Sequence, residues 1–274
     1  MVSKTNEQAL ESSIEKKLTG TCLEERKVDS SDPDQVSDRN DLYQRDSNCF
    51  FQGFPKDFNA KYAIDEKRFW HFLENTQKDE LEKLKRQSDW QLKILERLDR
   101  ILKKYGLIHV LRKGLEVDDA HFTMFYQLPL KSSGQTVRVN FLSNEFSVTR
   151  QVPYSLDNPR EEIDMVIFIN GLAISTIELK NHWTGQNARL HGVNQYKFKR
   201  DIRQPLLNFA RCIVHFAVDT DEVYMTTKLD GAKTNFLPFN LGYDNGKGNP
   251  PNLSGHRTAY LWEEVFTRNS LANI

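Results

Sequence analysis

The sequence offers no stretch that could cross a bilayer, since none of its apolar runs approaches the ~20 residues a spanning helix needs. Its N-terminus is polar and has no apolar signal-peptide segment. Cysteine is scarce, with only Cys22, Cys49 and Cys212, an odd number spread widely along the chain. That excludes a CxxC metal pair and a disulfide framework, and it suits a reducing compartment. Net charge is missing too, because 38 Lys and Arg balance 38 Asp and Glu. With no global polyanion-binding signature, any nucleic-acid contact must come from a local patch. The Gly-rich NGKGNPPN at 245–252 lacks the G-x-x-x-x-G-K-[ST] spacing of a phosphate loop and reads as a surface loop. Together these absences predict a soluble, cytoplasmic protein with no membrane partner.

What is present is material for a core. Hydrophobic residues make up 38% of the 274 and aromatics 11%, enough for one large domain or two small ones. Residues 5–18 read as an amphipathic helix, with Leu10, Ile14 and Leu18 in a stripe at i, i+4, i+8 and Thr5 as N-cap. Glu11 lies beside that stripe on what reads as a solvated face. The polar stretch from Thr19 to Asp41 reads as a loop. Ile64–Asn75 and Gln77–Lys104 carry apolar residues at helical spacing with an exposed, charge-paired face. From Gly106 the pattern turns to β, with strands over His121–Leu130, Thr136–Phe141 and Ser147–Tyr154. A helix over Ala188–Arg200, strands over Cys212–Val218 and Val223–Thr227, a long loop from Phe236 to Pro251 and a last helix at Tyr260–Thr267 complete the chain. This order predicts an α/β (α+β) fold, a mixed central sheet flanked by helices. Residues 1–105 would form a helical region packed on a core of residues 106–274, within one continuous domain.

The stretch IDMVIFINGLAISTIELKN, Ile163 to Asn181, organises the rest. Two apolar β-rich runs, Met165–Ile169 and Ala173–Ile177, flank Asn170-Gly171, a strong two-residue hairpin signal. Asp164 opens the first run, and Glu178 and Lys180 close the second on a common side of the strand. Isolated, each could be an ordinary strand-end charge. Charged residues rarely edge runs this apolar without a task, however, and two carboxylates with a lysine suit phosphodiester hydrolysis. The carboxylates can hold Mg²⁺, which activates water and neutralises phosphate charge, while the lysine orients the water or stabilises the transition state.

Asp164 with Glu178-Leu179-Lys180 resembles the PD-(D/E)XK nuclease motif. The wider sequence looks like the N-terminal nuclease domain of the restriction (R) subunit of Type I restriction–modification enzymes. The matching pieces are FLSNEFSVTRQVPYS (141–155), EIDMVIFINGLAISTIELKN (162–181), NQYKFKRD (194–201), VHFAVDTDEVYMTT (214–227), FLPFN (236–240) and YLWEEVF (260–266). The resemblance implies the PD-(D/E)XK fold and a Mg²⁺-dependent endonuclease acting on double-stranded DNA. It implies metal binding by Asp164 and Glu178, with Lys180 as catalytic lysine. Glu11, and more weakly Glu15, would correspond to the helix glutamate of the fold, the alternative for both being a plain surface acid.

The family also carries a Gln-x-x-x-Tyr element. Here Gln195 is present, but position 199 is Lys and the tyrosine is Tyr196. Gln195 is therefore kept as a catalytic candidate. Tyr196, Lys197, Lys199 and Arg200 are candidate DNA contacts, a cationic helix whose plain alternative is a solvated end. His182 is a conceivable general base, although metal-activated water needs none, and Trp183 reads as a packing residue. His215, in an apolar strand, reads as a satisfied core residue. Family members continue into an ATP-driven motor and assemble with methyltransferase and specificity subunits. No P-loop occurs here, so ATP would belong to an absent motor and the chain reads as a nuclease-domain piece. The rival reading is a nuclease-fold docking or DNA-binding module that is inactive in isolation.

Overall fold

The computed structural model describes residues 2–25, 49–181 and 185–273, the side chains of residues 2–7 excepted. Helix α1 (Val2–Thr19) is followed by three short strands, β1 (Phe51–Gln52), β2 (Phe58–Asn59) and β3 (Ile64–Asp65). Four helices come next, α2 (Glu66–Thr76), α3 (Lys78–Leu84), α4 (Trp90–Tyr105) and α5 (Leu107–Lys113). A small hairpin, β4 (Leu115–Val117) and β5 (Ala120–Phe122), leads to α6 (Gln135–Leu142). The main strands are β6 (Phe146–Pro153), β7 (Glu162–Ile169), β8 (Leu172–Leu179), β9 (Val214–Val218) and β10 (Val223–Thr226), with β11 (Leu237–Pro238) at the edge and α7 (Arg268–Leu271) near the end.

One mixed sheet runs in the order β1-β6-β7-β8-β9-β10-β11, with β3 joining it through β8. The β1–β6 and β8–β9 pairs are parallel and the other main pairs antiparallel. Its centre is the β7–β8 hairpin, where all eight residues of β8 are buried. Apolar groups cover both faces, as expected for strands that read as continuous hydrophobic runs. On one side, Met165, Ile167, Ile177 and Phe216 join the helices through Phe69, Phe72, Leu98 and the α1 stripe Leu10, Ile14 and Leu18. On the other, Val166, Phe168 and Tyr196 pack with Leu206 and Leu207.

Several expected elements changed type. Gln135–Leu142 is a helix rather than a strand, burying only Phe141 and leaving Val137 and Val139 exposed. Its Val-Arg-Val alternation mimics a strand, but no neighbouring strand pairs with it. After Gly106 the chain first makes α5, which buries Leu107, Val110 and Leu111 at helical spacing. Within the expected strand His121–Leu130, only the residues up to Phe122 pair, and they pair with β4 rather than with the large sheet. The expected helix over 188–200 is two single π-helical turns, Ala188–Gly192 and Gln195–Lys199, and the one at 260–267 is a π-turn over Leu261–Val265. Much of the polar 19–41 stretch, together with His182 and Trp183, lies outside the described residues.

Candidate active site

The site begins with the Asn170-Gly171 turn. Asn170 (φ 51°) and Gly171 (φ 77°) both adopt positive φ, as a type I′ hairpin turn requires. Asn170 is buried: its Oδ1 accepts from the Glu145 N–H and its Nδ2 donates to the Met124 carbonyl. From this turn the strands pair Ile169 with Leu172 and Phe168 with Ala173, but beyond a bulge Ile167 pairs with Ser175 and Met165 with Ile177. Ile174 is the extra residue, and its carbonyl accepts from the Ile213 N–H at 2.8 Å.

The bulge decides the site. A one-residue slip moves side chains to the other face of a sheet. Without the bulge, with Ile174 paired regularly to Ile167, Asp164 would oppose Ile177 and Glu178 would face away. With it, one step beyond the Met165–Ile177 pair, Asp164 stands across from Glu178 on a shared face.

The three motif residues are then fixed individually. Asp164 Oδ2 accepts from the Leu179 N–H at 2.7 Å. Lys180 Nζ donates to the Leu179 carbonyl at 2.6 Å and lies 3.9 Å from Asp164 Oδ2. The Lys180 stem runs past Gly192 of the first π-turn, where an added Cβ would sit 3.5 Å from Lys180 Cγ. Glu178 is fully buried and its Oε1 accepts from Arg200 Nε at 2.7 Å, with Nη2 also 2.7 Å away. Its Oε2 is buried with no hydrogen-bond partner. Burial, and then the negative charge of Asp164, push the Glu178 carboxyl well above the usual carboxylate range.

The α1 acids are not on a solvated face. Glu11 and Glu15 are buried against the sheet. Arg150 on β6 holds both, with its Nε 2.8 Å from Glu11 Oε2 and its Nη1 3.0 Å from Glu15 Oε2, and it also reaches Glu24 at 2.9 Å. The reading of Glu11 and Glu15 as surface acids fails because the apolar stripe docks α1 onto the sheet and carries its neighbouring acids inward to a buried guanidinium. Gln151 Nε2 takes the other Glu11 oxygen at 2.7 Å, and Gln52 Nε2 donates to Glu15 Oε1 at 2.6 Å. Burial, reinforced by Asp164, pushes Glu11 up to about 7. The sequence signal of Arg150 is a charge in the middle of a β-rich segment, Val148-Thr149-Arg150-Gln151-Val152.

The 195–200 segment splits in two. Tyr196 is fully buried, its hydroxyl sharing a hydrogen bond with Thr176 Oγ1 at 2.7 Å, while Thr176 also meets His215 Nδ1 at 2.7 Å. His215 is thus a satisfied core residue, and burial holds it down at about 3, neutral. Arg200 points inward to Glu178, and Gln195 is half-buried with its carbonyl accepting from the Arg200 N–H at 3.0 Å. Of the proposed DNA contacts, Lys199 is exposed and Lys197 half-exposed, with exposed Phe198 between them.

A divalent cation fits this donor set. Glu178 offers an unpartnered buried oxygen, and hard carboxylate oxygens suit Mg²⁺. The linked side chains Glu11, Glu15, Glu24, Asp164 and Glu178 face Arg150, Lys180 and Arg200, two negative charges in excess when all are ionised. Among the described residues no group of three His, Cys, Asp or Glu side chains is placed to hold a metal ion, and Asp164 and Glu178 are a candidate pair of carboxylate ligands only.

The model of the Type I restriction enzyme R protein N terminus matches residues 59–234, more than half of the chain. The chain belongs to this family. The match spans Asp164, Glu178, Lys180 and the π-turns Ala188–Gly192 and Gln195–Lys199, while α1 with Glu11 lies outside it. The large mixed sheet flanked by helices is consistent with the PD-(D/E)XK-like nuclease fold. A search of curated proteins finds no match to the chain. No helix among the described residues is long and apolar enough to cross a membrane.

Proposed function

We propose that this R-protein N terminus is a Mg²⁺-dependent endonuclease that hydrolyses phosphodiester bonds of double-stranded DNA. It would work within a restriction complex that brings an ATP-driven motor and the methyltransferase and specificity subunits. The observation that carries this reading is the bulged hairpin, which sets Asp164 across from Glu178 with Lys180 Nζ 3.9 Å from Asp164. Asp164 and Glu178 would hold the ion, and Glu11 would join them only by releasing Arg150 or Gln151. Mg²⁺, when bound, supplies a Lewis acid for the phosphate and a water of lowered pKa.

The chain's own contribution is positioning. The Leu179 N–H fixes the Asp164 carboxylate, and the Leu179 carbonyl fixes the Lys180 ammonium beside it. Lys180 therefore presents a positive charge at the site without searching rotamers, where it stabilises charge developing on phosphate oxygens or orients the attacking water. The exposed edge at Lys197 and Lys199 offers cations to the DNA backbone.

The test is Lys180→Ala in the assembled restriction enzyme. Cleavage should fall by about 10²–10³-fold or more while the thermal melt stays cooperative. Undiminished cleavage would remove Lys180 from the mechanism. The balanced charge of the chain favours one other reading, a nuclease-fold module that binds DNA but needs its partners to cut. Calorimetric Mg²⁺ titration alongside plasmid nicking by the isolated chain separates the two. Metal binding without nicking means a competent site that needs partners, and no metal binding favours the module.

A further inference from the structure

Arg200 makes a contact that neither the motif nor a DNA-binding role accounts for. Its side chain is about nine-tenths buried, and two of its nitrogens converge on a single oxygen of a fully buried glutamate, Glu178 Oε1. A fork-to-fork pair would engage both carboxylate oxygens. Here the second oxygen, Oε2, is left buried and without a hydrogen bond.

Arg200 is itself held at its side chain and at its backbone. Its Cζ lies over the Tyr154 ring, 5.4 Å from the centroid, and the backbone N–H of Arg200 ties the residue back to the Gln195 carbonyl at the start of the second π-turn. That turn is anchored from within by Tyr196, whose hydroxyl meets Thr176 two residues before Glu178 on β8. The π-turn thus has one buried job at each end, and both concern β8.

Resting on the nuclease reading, we propose that Arg200 is a positioning residue. It pins Glu178 by Oε1, so that Oε2 is the oxygen turned to the cation, and it is not a DNA contact. A carboxylate buried this deeply would otherwise be free to rotate or to bond a neighbouring polar group, and either change spoils a metal ligand. Partners that orient ligating carboxylates commonly set metal affinity by ~10–100-fold.

The alternative role for Arg200 is a blocking cation that occupies Glu178 and must leave before metal enters. The two roles predict opposite signs. If Arg200 positions Glu178, Arg200→Met weakens Mg²⁺ or Mn²⁺ binding to the full chain by at least ~tenfold in calorimetry. Arg200→Lys, which can still donate to Oε1, then recovers part of the loss. Unchanged or tighter metal binding by Arg200→Met overturns the proposal.

A second measurement needs no metal. In urea unfolding, Arg200→Met and Glu178→Gln should be non-additive, the double variant being nearly as stable as Arg200→Met alone. Additive effects would mean that the pair does not form and would overturn the proposal whatever the metal result. If the pair couples but the wild-type chain binds neither Mg²⁺ nor Mn²⁺, the nuclease reading itself fails. Arg200 is then a structural partner of Glu178 only, and its role toward the cation is refuted with it.

Discussion

At the scale of single residues, the site is a set of charges that burial makes costly and that specific partners make tolerable. Glu178 alone in the sheet would be costly, and the positive charges of Arg200 and Lys180 are what offset its burial. His215 shows the neutral solution. Its folded form takes a proton only near 3, whereas an unfolded histidine does so near 6.5. Between those values the unfolded chain binds the extra proton, so stability falls as pH drops from about 6.5 toward 3. Replacing His215 with Asn should flatten the acid limb of the stability curve between pH 6.5 and 5, measured by urea denaturation at each pH. An unchanged slope would show that His215 does not titrate as its burial implies.

At the scale of elements, the β7–β8 hairpin is controlled by its turn and its bulge. A Cβ on Gly171 would sit 2.5 Å from the Asp65 carbonyl oxygen and 2.6 Å from the Phe69 nitrogen, on a backbone with φ at 77°. Both obstacles are backbone and cannot swing away. Gly171→Ala should therefore destabilise the protein by about 3 kcal/mol, combining left-handed strain with the clash. A change below about 1 kcal/mol in chemical denaturation would mean that β3 and α2 can retreat from the turn.

At the scale of the whole molecule, α1 and the sheet are joined by charge as well as by the Leu10, Ile14 and Leu18 stripe. Arg150 is buried and relies on Glu11 and Glu15, with the partly exposed Glu24 and the Ser12 hydroxyl besides. Breaking a buried pair from one side leaves an uncompensated charge. The double variant Glu11→Ala/Glu15→Ala should lose roughly 3–5 kcal/mol of unfolding free energy, more than either single variant. A loss near zero would show that α1 can leave the sheet and water can reach Arg150 freely. The same linkage places an α1 acid beside Asp164, so the helix outside the family match bears on the electrostatics of the centre inside it.

The sequence by itself determined the hairpin, its turn residues and the identity of the acids and the lysine. These are local properties: Asn-Gly chemistry, β-branched runs, and charges where apolar residues should be. It also determined the mixed α/β class through the succession of periodicities. Tertiary structure decided the rest. No local pattern announces the Ile174 bulge, because the extra residue is one apolar side chain among eight buried ones, yet it alone turns Glu178 to the side of Asp164. Nor could spacing show that Glu11, Glu15 and Arg150 would meet. Arg150 lies more than a hundred residues from both acids and is brought to them only when the apolar stripe of α1 is buried. Arg200 reads in sequence as one more cation on a basic turn. What turns it inward is Glu178, a buried carboxylate whose cost is met only by a partner reached through the fold.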